Sequence, residues 1–207
     1  FSILSPAPSG VEEVIIEEAL GQCCVSVSLG KSERECPPSL KDLESQGFPV
    51  FVHSSERTLY ASSSIPPLYR PGHFSQVNEF ANRVLVDTVL SSLQSPAIVD
   101  LYSGAGNFAL PAARGGRTVL AVELDKWLVG AGRKQAKTEG LDNIVTFVQG
   151  KCEDLSPDLP GSHDVILDPP RAGARDVVKF FRPERSPTVI YVSCFLPALA
   201  RDLAMLV

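Results

Sequence analysis

Apolar and polar positions follow two different patterns along the chain. In the first third, short apolar runs alternate with turn residues, which is typical of β-strands. We predict a short helix over Ser39–Ser45 and strands over Glu13–Ile16, Cys23–Leu29, Val50–His53 and Thr58–Ala61. These elements predict a small α+β subdomain over 1–70. The Ser- and Pro-rich stretch at 62–72 predicts a linker, so this part of the chain covers 1–72.

The period changes to 3.6 residues after position 76, where an amphipathic helix is predicted. Its apolar stripe consists of Val77, Phe80, Ala81, Val84, Leu85, Val89 and Leu93. Apolar runs and helical segments then alternate, with strands predicted over Ala97–Leu101, Thr118–Val122, Ile144–Val148, Asp164–Leu167 and Thr188–Val192. This alternation predicts an α/β domain over 73–207, a mostly parallel sheet with helices on both faces.

The composition is that of an ordinary soluble protein. Of the 207 residues, 44% are hydrophobic and 21% are charged, and the apolar runs are too short to cross a membrane. The first ten residues lack the basic region and the apolar core of a signal peptide, so we expect a cytoplasmic protein without membrane contact. The net charge of −5 counts against strong non-specific binding to nucleic acids.

The five cysteines show no C-x-x-C spacing, so we expect neither a metal site nor an iron–sulfur cluster. Those at positions 23, 24, 36 and 152 are interpreted as reduced thiols without a catalytic role. Cys194 differs because it follows the apolar run 187–192, at the carboxyl end of a predicted strand, where open α/β sheets bind ligands. We interpret Cys194 as a candidate nucleophile; the alternative is a small buried core residue.

A glycine loop and an acid indicate a nucleotide-like ligand. The segment D-L-Y-S-G-A-G-N-F-A at 100–109 links the first predicted strand of this domain to a helix, and Gly104 and Gly106 allow a close backbone approach. Glu123 ends the next strand, where a carboxylate can accept hydrogen bonds from ribose hydroxyls. NAD enzymes and methyltransferases share this arrangement. A tight turn with Glu123 as a solvated strand end is the alternative.

The D-P-P-R segment at 168–171 indicates a rigid loop after the fourth strand of this domain, because proline fixes φ. Asp168 would then point into the crevice at the carboxyl edge, where it can hold the edge of a planar base. An ordinary Asp-Pro turn is the alternative. Together with Cys194, this segment indicates an enzyme that attacks a base covalently while it holds a methyl donor.

These segments resemble the RNA (uracil-5-)-methyltransferase family, the enzymes that form 5-methyluridine in tRNA and rRNA. The matching segments are F-S-Q-V-N at 74–78, D-L-Y-S-G-A-G-N-F-A-L-P at 100–111, V-E at 122–123, L-D-P-P-R-A-G at 167–173, and Y-V-S-C at 191–194 with L-A-R-D-L at 199–203. The resemblance covers about 74–207 and implies a Rossmann-like fold that uses S-adenosylmethionine. Residues 1–70 would correspond to the family's central subdomain.

The resemblance also implies roles for individual residues. Cys194 would be the nucleophile that adds to C6 of uracil, and Gln76 and Asp168 would lie near the target base. The S-adenosylmethionine contacts would come from Gln76, Tyr102, Gly104, Asn107, Glu123 and Asp168. The partner would be RNA, either tRNA or rRNA.

Two positions depart from the family pattern. Phe195 follows the nucleophile where the family has Asn, and Lys151 stands where an Asp or Asn near the adenine is expected. The family's general base is a Glu in a segment beyond the L-A-R-D-L helix, and the given chain ends at Val207. We therefore expect the last strands of the sheet to be missing, and this chain alone to bind the donor weakly and to turn over poorly. Methyl transfer to cytosine C5 or to a smaller substrate, and a non-catalytic RNA-binding relic, stay open as alternatives.

A basic cluster follows the D-P-P-R segment. It consists of Arg171, Arg175, Lys179, Arg182 and Arg185. Positions 175, 179 and 182 share one helical face, and phosphate contacts with RNA would explain them. A solvated helix face is the alternative. We predict that Arg171 and Arg175 bind the substrate RNA.

Overall fold

The strands among the described residues form two sheets. The computed structural model describes residues 9–19, 22–54, 57–62, 79–155, 163–181 and 188–206. The chain divides into two compact units, Phe1–Asn82 and Arg83–Val207. Most of the predicted linker at 62–72, together with Gln76, Arg182 and Arg185, lies outside the described residues.

The first unit is a four-stranded sheet with one helix on it. The strands are β1 (Val11–Ala19), β2 (Gln22–Leu29), β3 (Val50–Ser54) and β4 (Arg57–Ala61), in that spatial order. The central pair, β2 and β3, is parallel, and the two outer pairs are antiparallel. Helix α1 (Pro38–Ser45) covers one face, where Leu40 and Leu43 pack with alternate residues of β2 and β3.

The second unit contains a five-stranded, fully parallel sheet. Its strands are β5 (Ala97–Leu101), β6 (Thr118–Glu123), β7 (Val145–Gln149), β8 (Asp164–Leu167) and β9 (Val189–Tyr191). They lie in the order β7-β6-β5-β8-β9. The chain thus moves outward from β5 to one side and then returns to the other side, which opens a crevice between the carboxyl ends of β5 and β8.

Helices cover both faces of this second sheet. Helices α2 (Glu79–Ser92), α3 (Ala109–Arg114) and α4 (Lys126–Thr138) share one apolar cluster with the sheet. Helices α5 (Cys152–Leu155), α6 (Arg175–Val178) and α7 (Leu196–Leu206) share the other. Strand β5 shows the cause, since Ile98 faces the first cluster and its neighbour Val99 faces the second. The predicted α/β fold with a parallel sheet is confirmed.

The buried face of α2 differs from the predicted stripe. Val86, Val89 and Leu93 pack in the core, whereas Phe80 is 78% exposed and Val84 is 51% exposed. Val84 precedes Val86 by two residues and therefore lies about 160° away around the helix axis. The seven apolar positions were too many for one face, and the sequence pattern placed the stripe on the wrong side at the start of the helix.

Two further findings concern what the described part of the chain does not contain. Among the described residues, no helix combines the length and the apolar character that a membrane span needs. The same residues hold no cluster of three or more His, Cys, Asp and Glu side chains that is arranged for a metal ion.

Candidate active site

The ends of four neighbouring strands bring predicted site residues to one edge of the second sheet. Strands β6, β5, β8 and β9 end within one residue of each other in register. Glu123 ends β6, Tyr102 follows β5, Asp168 follows β8, and Cys194 lies three residues after the end of β9. Neighbouring strands are about 4.8 Å apart, so the edge from β6 to β9 spans about 14 Å.

The loop after β5 holds a backbone that most side chains would not permit. Gly104 and Gly106 both have positive φ, 57° and 102°. At Gly106, an added Cβ would also come within 2.8 Å of the Phe147 ring. At Gly104, the space around a Cβ is open, so this stretch of backbone is accessible to a ligand.

Tyr102 is strained in the same loop. It has a φ of 63°, in the left-handed region that a bulky residue rarely adopts. Its hydroxyl donates a hydrogen bond of 3.1 Å to Glu153 on α5, and this contact ties the loop to the neighbouring strand connection. Strain of this kind persists where surrounding bonds enforce it, and it is frequent at binding sites.

Glu123 organises the glycine loop rather than ending its strand in solvent. One carboxylate oxygen accepts the Gly104 N–H at 3.0 Å, and the other accepts the Asp125 N–H at 2.8 Å. Each oxygen keeps a lone pair for a second donor. Asp125 in turn caps α4 by accepting the N–H groups of Trp127 and Leu128. Glu123 is therefore fixed in position and still able to accept hydrogen bonds from a ligand.

Asp100 is a buried acid close to this edge that was not among the predicted site residues. It is fully buried in β5, and neither carboxylate oxygen has a hydrogen-bond partner among the described residues. Burial raises the pKa of Asp100 well above its usual range, and the charges of Asp168 and Glu123 raise it further, while the nearby Ala109 N–H opposes the shift. The signal in the sequence was an acid inside the apolar run A-I-V-D-L.

Asp168 lies at the centre of the edge. Its own N–H reaches the Leu101 carbonyl at 3.4 Å, which continues the pairing of β8 with β5. Burial raises the pKa of Asp168 to about 6. Glu123 and Asp168 thus lie on either side of the end of β5. A carboxyl group with a pKa of about 6 is ionised at pH 7, so Asp168 favours a ligand that carries positive charge.

The two cysteines of the second unit have opposite environments. Cys194 is exposed, in the connection between β9 and α7, where the Ser193 hydroxyl accepts the Phe195 N–H at 3.1 Å. Cys152 is buried under the edge, and burial raises the pKa of its thiol to about 12. Since the thiolate is the nucleophile, Cys152 is an inert thiol, whereas Cys194 is accessible to a substrate.

The remaining predicted residues take several positions. Asn107 is half-buried in the loop before α3. Arg171 is exposed in the connection from β8 to α6, and Arg175 is exposed on α6 itself. Lys151 is exposed after β7. Phe195 is 45% exposed beside Cys194. Gln76 lies outside the described residues.

Comparison with known families identifies the family of this chain. The model of the tRNA (Uracil-5-)-methyltransferase family matches residues 68–207, the part of the chain that carries the sheet edge. The chain belongs to this family. The resemblance inferred from its motifs is confirmed.

Curated relatives of the family carry similar names. A 23S rRNA (uracil(1939)-C(5))-methyltransferase RlmD of Dechloromonas aromatica is 40% identical over 146 residues, which cover 67% of this chain and 34% of the relative. A 23S rRNA (uracil(747)-C(5))-methyltransferase of Pyrococcus abyssi is 34% identical over 188 residues, which cover 90% of this chain and 42% of the relative. The chain thus spans about a third to two fifths of the length of these family members.

A solved structure shows the same fold. The Pyrococcus abyssi tRNA (uracil-54, C5)-methyltransferase, solved in complex with S-adenosyl-L-homocysteine, superposes with a TM-score of 0.71 at 22% identity. The superposition covers 98% of this chain and 55% of that chain. At this identity the likeness establishes the fold alone.

Proposed function

We propose that this chain carries the catalytic centre of an RNA methyltransferase that transfers a methyl group from S-adenosylmethionine to C5 of uracil. The observation that carries the proposal is the exposed Cys194 thiol on the same sheet edge as the carboxyl groups of Glu123 and Asp168. Membership of the family supports it, as do the curated relatives, which are named for methylation of uracil at C5.

The half of the edge formed by β5 and β6 suits the methyl donor. Glu123 has one lone pair per oxygen left for the two ribose hydroxyls, and the open backbone at Gly104 allows close approach. The sulfonium and ammonium groups of S-adenosylmethionine are positive, and the Asp168 carboxyl group lies next to this half of the edge. We assign Tyr102 and Asn107 to the same subsite because they belong to the same loop.

The half of the edge formed by β8 and β9 suits the base. The thiolate of Cys194 adds to C6 of uracil, so that the S–C6 bond forms and the electron pair of the C5=C6 bond moves toward C5 and O4. When bound, S-adenosylmethionine supplies the methyl group that C5 takes, and the electron pair of the broken bond stays with its sulfur. A base then removes the C5 proton, the C5=C6 bond re-forms and the Cys194 thiolate leaves. By the resemblance, this base would come from a segment after α7.

Exposed cations next to this half suit the RNA backbone. Arg171 and Arg175 extend from the loop that begins at Asp168, and Lys179 ends the same short helix, where it pairs with Asp176 at 3.0 Å. Phosphate contacts from these side chains would position a flipped base over Cys194.

The identity of the modified nucleoside tests this proposal. The protein is incubated with methyl-labelled S-adenosylmethionine and with tRNA and 23S rRNA transcripts, and the RNA is digested to nucleosides. We expect the label in 5-methyluridine. Label in 5-methylcytidine would replace uracil by cytosine as the target. No label in either nucleoside, with donor binding absent in calorimetry, would contradict the proposal.

A further inference from the structure

A buried carboxylate on α7 connects the two loops that carry Asp168 and Cys194. Asp202 is fully buried. Its Oδ2 atom accepts the Ala174 N–H at 2.6 Å and the Tyr191 hydroxyl at 2.7 Å. Its Oδ1 atom accepts the guanidinium group of Arg201, with 2.8 Å to Nε and 2.7 Å to Nη2. Both oxygens of this carboxylate are therefore occupied by donors.

The hydrogen-bond donors to Asp202 come from two segments that the reaction would need to align. One is the loop that begins at Asp168, and the other is the strand end that precedes Cys194. Ala174 closes the loop that begins at Asp168. Tyr191 is the last residue of β9, three positions before Cys194. The Arg201 Nη2 atom also donates to the Ala172 carbonyl at 2.8 Å, so α7 contacts this loop at two backbone groups. The Ala174 N–H also lies 3.1 Å from the Tyr191 hydroxyl, so this direct contact and the side chains of α7 together set the spacing between the loop and the end of β9.

Gly173 shows how close this contact is. Its φ is 84°, and an added Cβ would come within 2.5 Å of both the Asp202 carboxylate and the Arg201 guanidinium. The backbone of the loop therefore lies directly against the two side chains, without room for a side chain between them. The contact has one narrow geometry.

The network is charged. Burial raises the pKa of Asp202, but hydrogen bonds from Tyr191, Ala174 and Arg201 outweigh burial and hold the pKa below its ordinary value. The carboxylate is therefore ionised at neutral pH, and its hydrogen bonds are charge-assisted, which makes them stronger than neutral ones. A neutral isostere would keep the shape and lose this attraction.

We propose that Asp202 is a positioning residue for the methyl transfer, which holds the Asp168 loop and the Cys194 connection in register. Asp202 cannot touch the substrate itself because no part of it is accessible. The role rests on the proposed function, since it concerns the alignment of the base between Cys194 and the donor. An error of about 1 Å in such an alignment lowers the rate by about 100-fold.

The chain offers a matched control in Asp164. It is also fully buried, and its Oδ2 accepts two backbone N–H groups, those of Gln94 at 2.6 Å and Ser95 at 2.7 Å. It stands at the amino end of β8, at the opposite edge of the sheet from Asp168. Asp164→Asn therefore makes the same chemical change at another fully buried acid without a change at the candidate active site.

The test compares the rates at which Asp202→Asn and Asp164→Asn form a covalent adduct with RNA that contains 5-fluorouridine. The C5 fluorine of this nucleotide blocks release of the cysteine adduct. We expect Asp202→Asn to lower the rate of adduct formation at saturating donor by about 100-fold. Its affinity for S-adenosylhomocysteine should change less than about threefold, because Glu123 and Gly104 are untouched. Asp164→Asn should lower the melting temperature and leave the adduct rate of the folded fraction unchanged. Equal rates for the two variants, corrected for folded fraction, would overturn the proposal.

Tyr191→Phe provides a second variant that keeps the buried charge. It removes one of the two bonds to Oδ2 and the 3.1 Å bond from the Ala174 N–H to the Tyr191 hydroxyl, and it leaves the bond from Ala174 to Oδ2. We expect an adduct rate about tenfold lower, with the donor affinity again unchanged. A wild-type adduct rate in this variant would argue against positioning.

Hydrogen exchange separates this proposal from the proposed function. If the wild-type protein forms no adduct, the proposed function fails, and the amides of 172–174 still report on the network. Asp202→Asn should speed their exchange at least about tenfold, and Asp164→Asn should not. Unchanged exchange in Asp202→Asn would show that the carboxylate does not hold the loop.

Discussion

The two halves of the sheet edge are held in place by different kinds of contact. In the β5–β6 half, the Glu123 carboxylate binds backbone N–H groups of the glycine loop, and that loop is shaped by positive φ angles at its glycines. In the β8–β9 half, side chains of α7 hold the loop that starts at Asp168 and the end of β9. The comparison indicates that substitutions in one half should affect donor binding and those in the other should affect the reaction on the base.

Removal of the Cys194 thiol should give the largest separation of the two halves. We expect Cys194→Ala to lower methyl transfer at least about 1000-fold, because no other group replaces the covalent step. Donor affinity in calorimetry should stay within about twofold. Cys23→Ala, which removes another exposed thiol, is the matched control and should behave as wild type. Residual activity near the wild-type level in Cys194→Ala would contradict the assignment of the covalent step to the β8–β9 half.

Neutralisation of Glu123 should act on the opposite half. Glu123→Gln weakens the charge-assisted bonds to Gly104, Asp125 and the ribose, so we expect the affinity for S-adenosylhomocysteine to fall roughly 10- to 100-fold in calorimetry. Glu139→Gln is the matched control. It removes an acid at the carboxyl end of α4, where it pairs with Arg114 of α3, and it should leave the affinity unchanged. An unchanged affinity in Glu123→Gln would remove Glu123 from the donor subsite.

Asp168 lies between the two halves of the sheet edge, and the pH dependence of stability should report on its buried carboxyl group. Since its folded pKa is raised to about 6, its contribution to stability is fully present below about pH 4 and is lost as the pH rises through 6. Asp168→Asn should therefore unfold in urea with a free energy about 2 kcal/mol higher than wild type at pH 7.5 and equal to it near pH 4.

The same variant should bind the donor less well. At pH 7.5 we expect Asp168→Asn to lose about tenfold in affinity for S-adenosylmethionine and less for the uncharged-sulfur product, with both differences shrinking as the pH falls below 6. Asp142→Asn, at an exposed acid beyond α4, should show no difference from wild type in either measurement. A pH-independent difference in stability for Asp168→Asn would contradict the assigned environment.

The smallest effect is expected at the basic surface next to the β8–β9 half. Charge reversal at Arg175 and Lys179 should lower the slope of log affinity for RNA against log salt by about 2 and leave donor affinity unchanged. Reversal of Lys134 and Lys137, on α4 at the other face of the sheet, is the matched control. An unchanged slope in the first variant would exclude this surface from RNA contact.

Sequence alone was most informative where geometry follows from the backbone. The period at which apolar residues recur distinguishes strands from helices, because it follows which side chains are buried. The resulting alternation of strands and helices predicted the parallel sheet. The spacing of Gly104, Gly106 and Glu123 predicted a ligand loop, since a positive φ is a property of single residues. Motifs at successive strand ends predicted which residues would reach one edge.

Contacts between distant side chains were beyond the sequence. Asp100 looked like an ordinary strand residue, because its complete burial arises only once the helices pack on the sheet. The L-A-R-D-L segment was recognised as a motif, but its contacts with 172–174 and Tyr191 require the docking of α7 on the sheet. The buried face at the start of α2 was predicted wrongly, because the sequence pattern does not show which residues of an apolar stripe the core covers.

The most direct measurement is the mapping of a covalent RNA adduct. The protein is mixed with S-adenosylmethionine and with RNA that contains 5-fluorouridine, the complex is digested, and the modified peptide is sequenced by mass spectrometry. We expect one cross-linked nucleotide, attached to Cys194 through C6 and carrying the transferred methyl group. An adduct at another cysteine, or 5-methyluridine formed in ordinary RNA by Cys194→Ala at the wild-type rate, would contradict it.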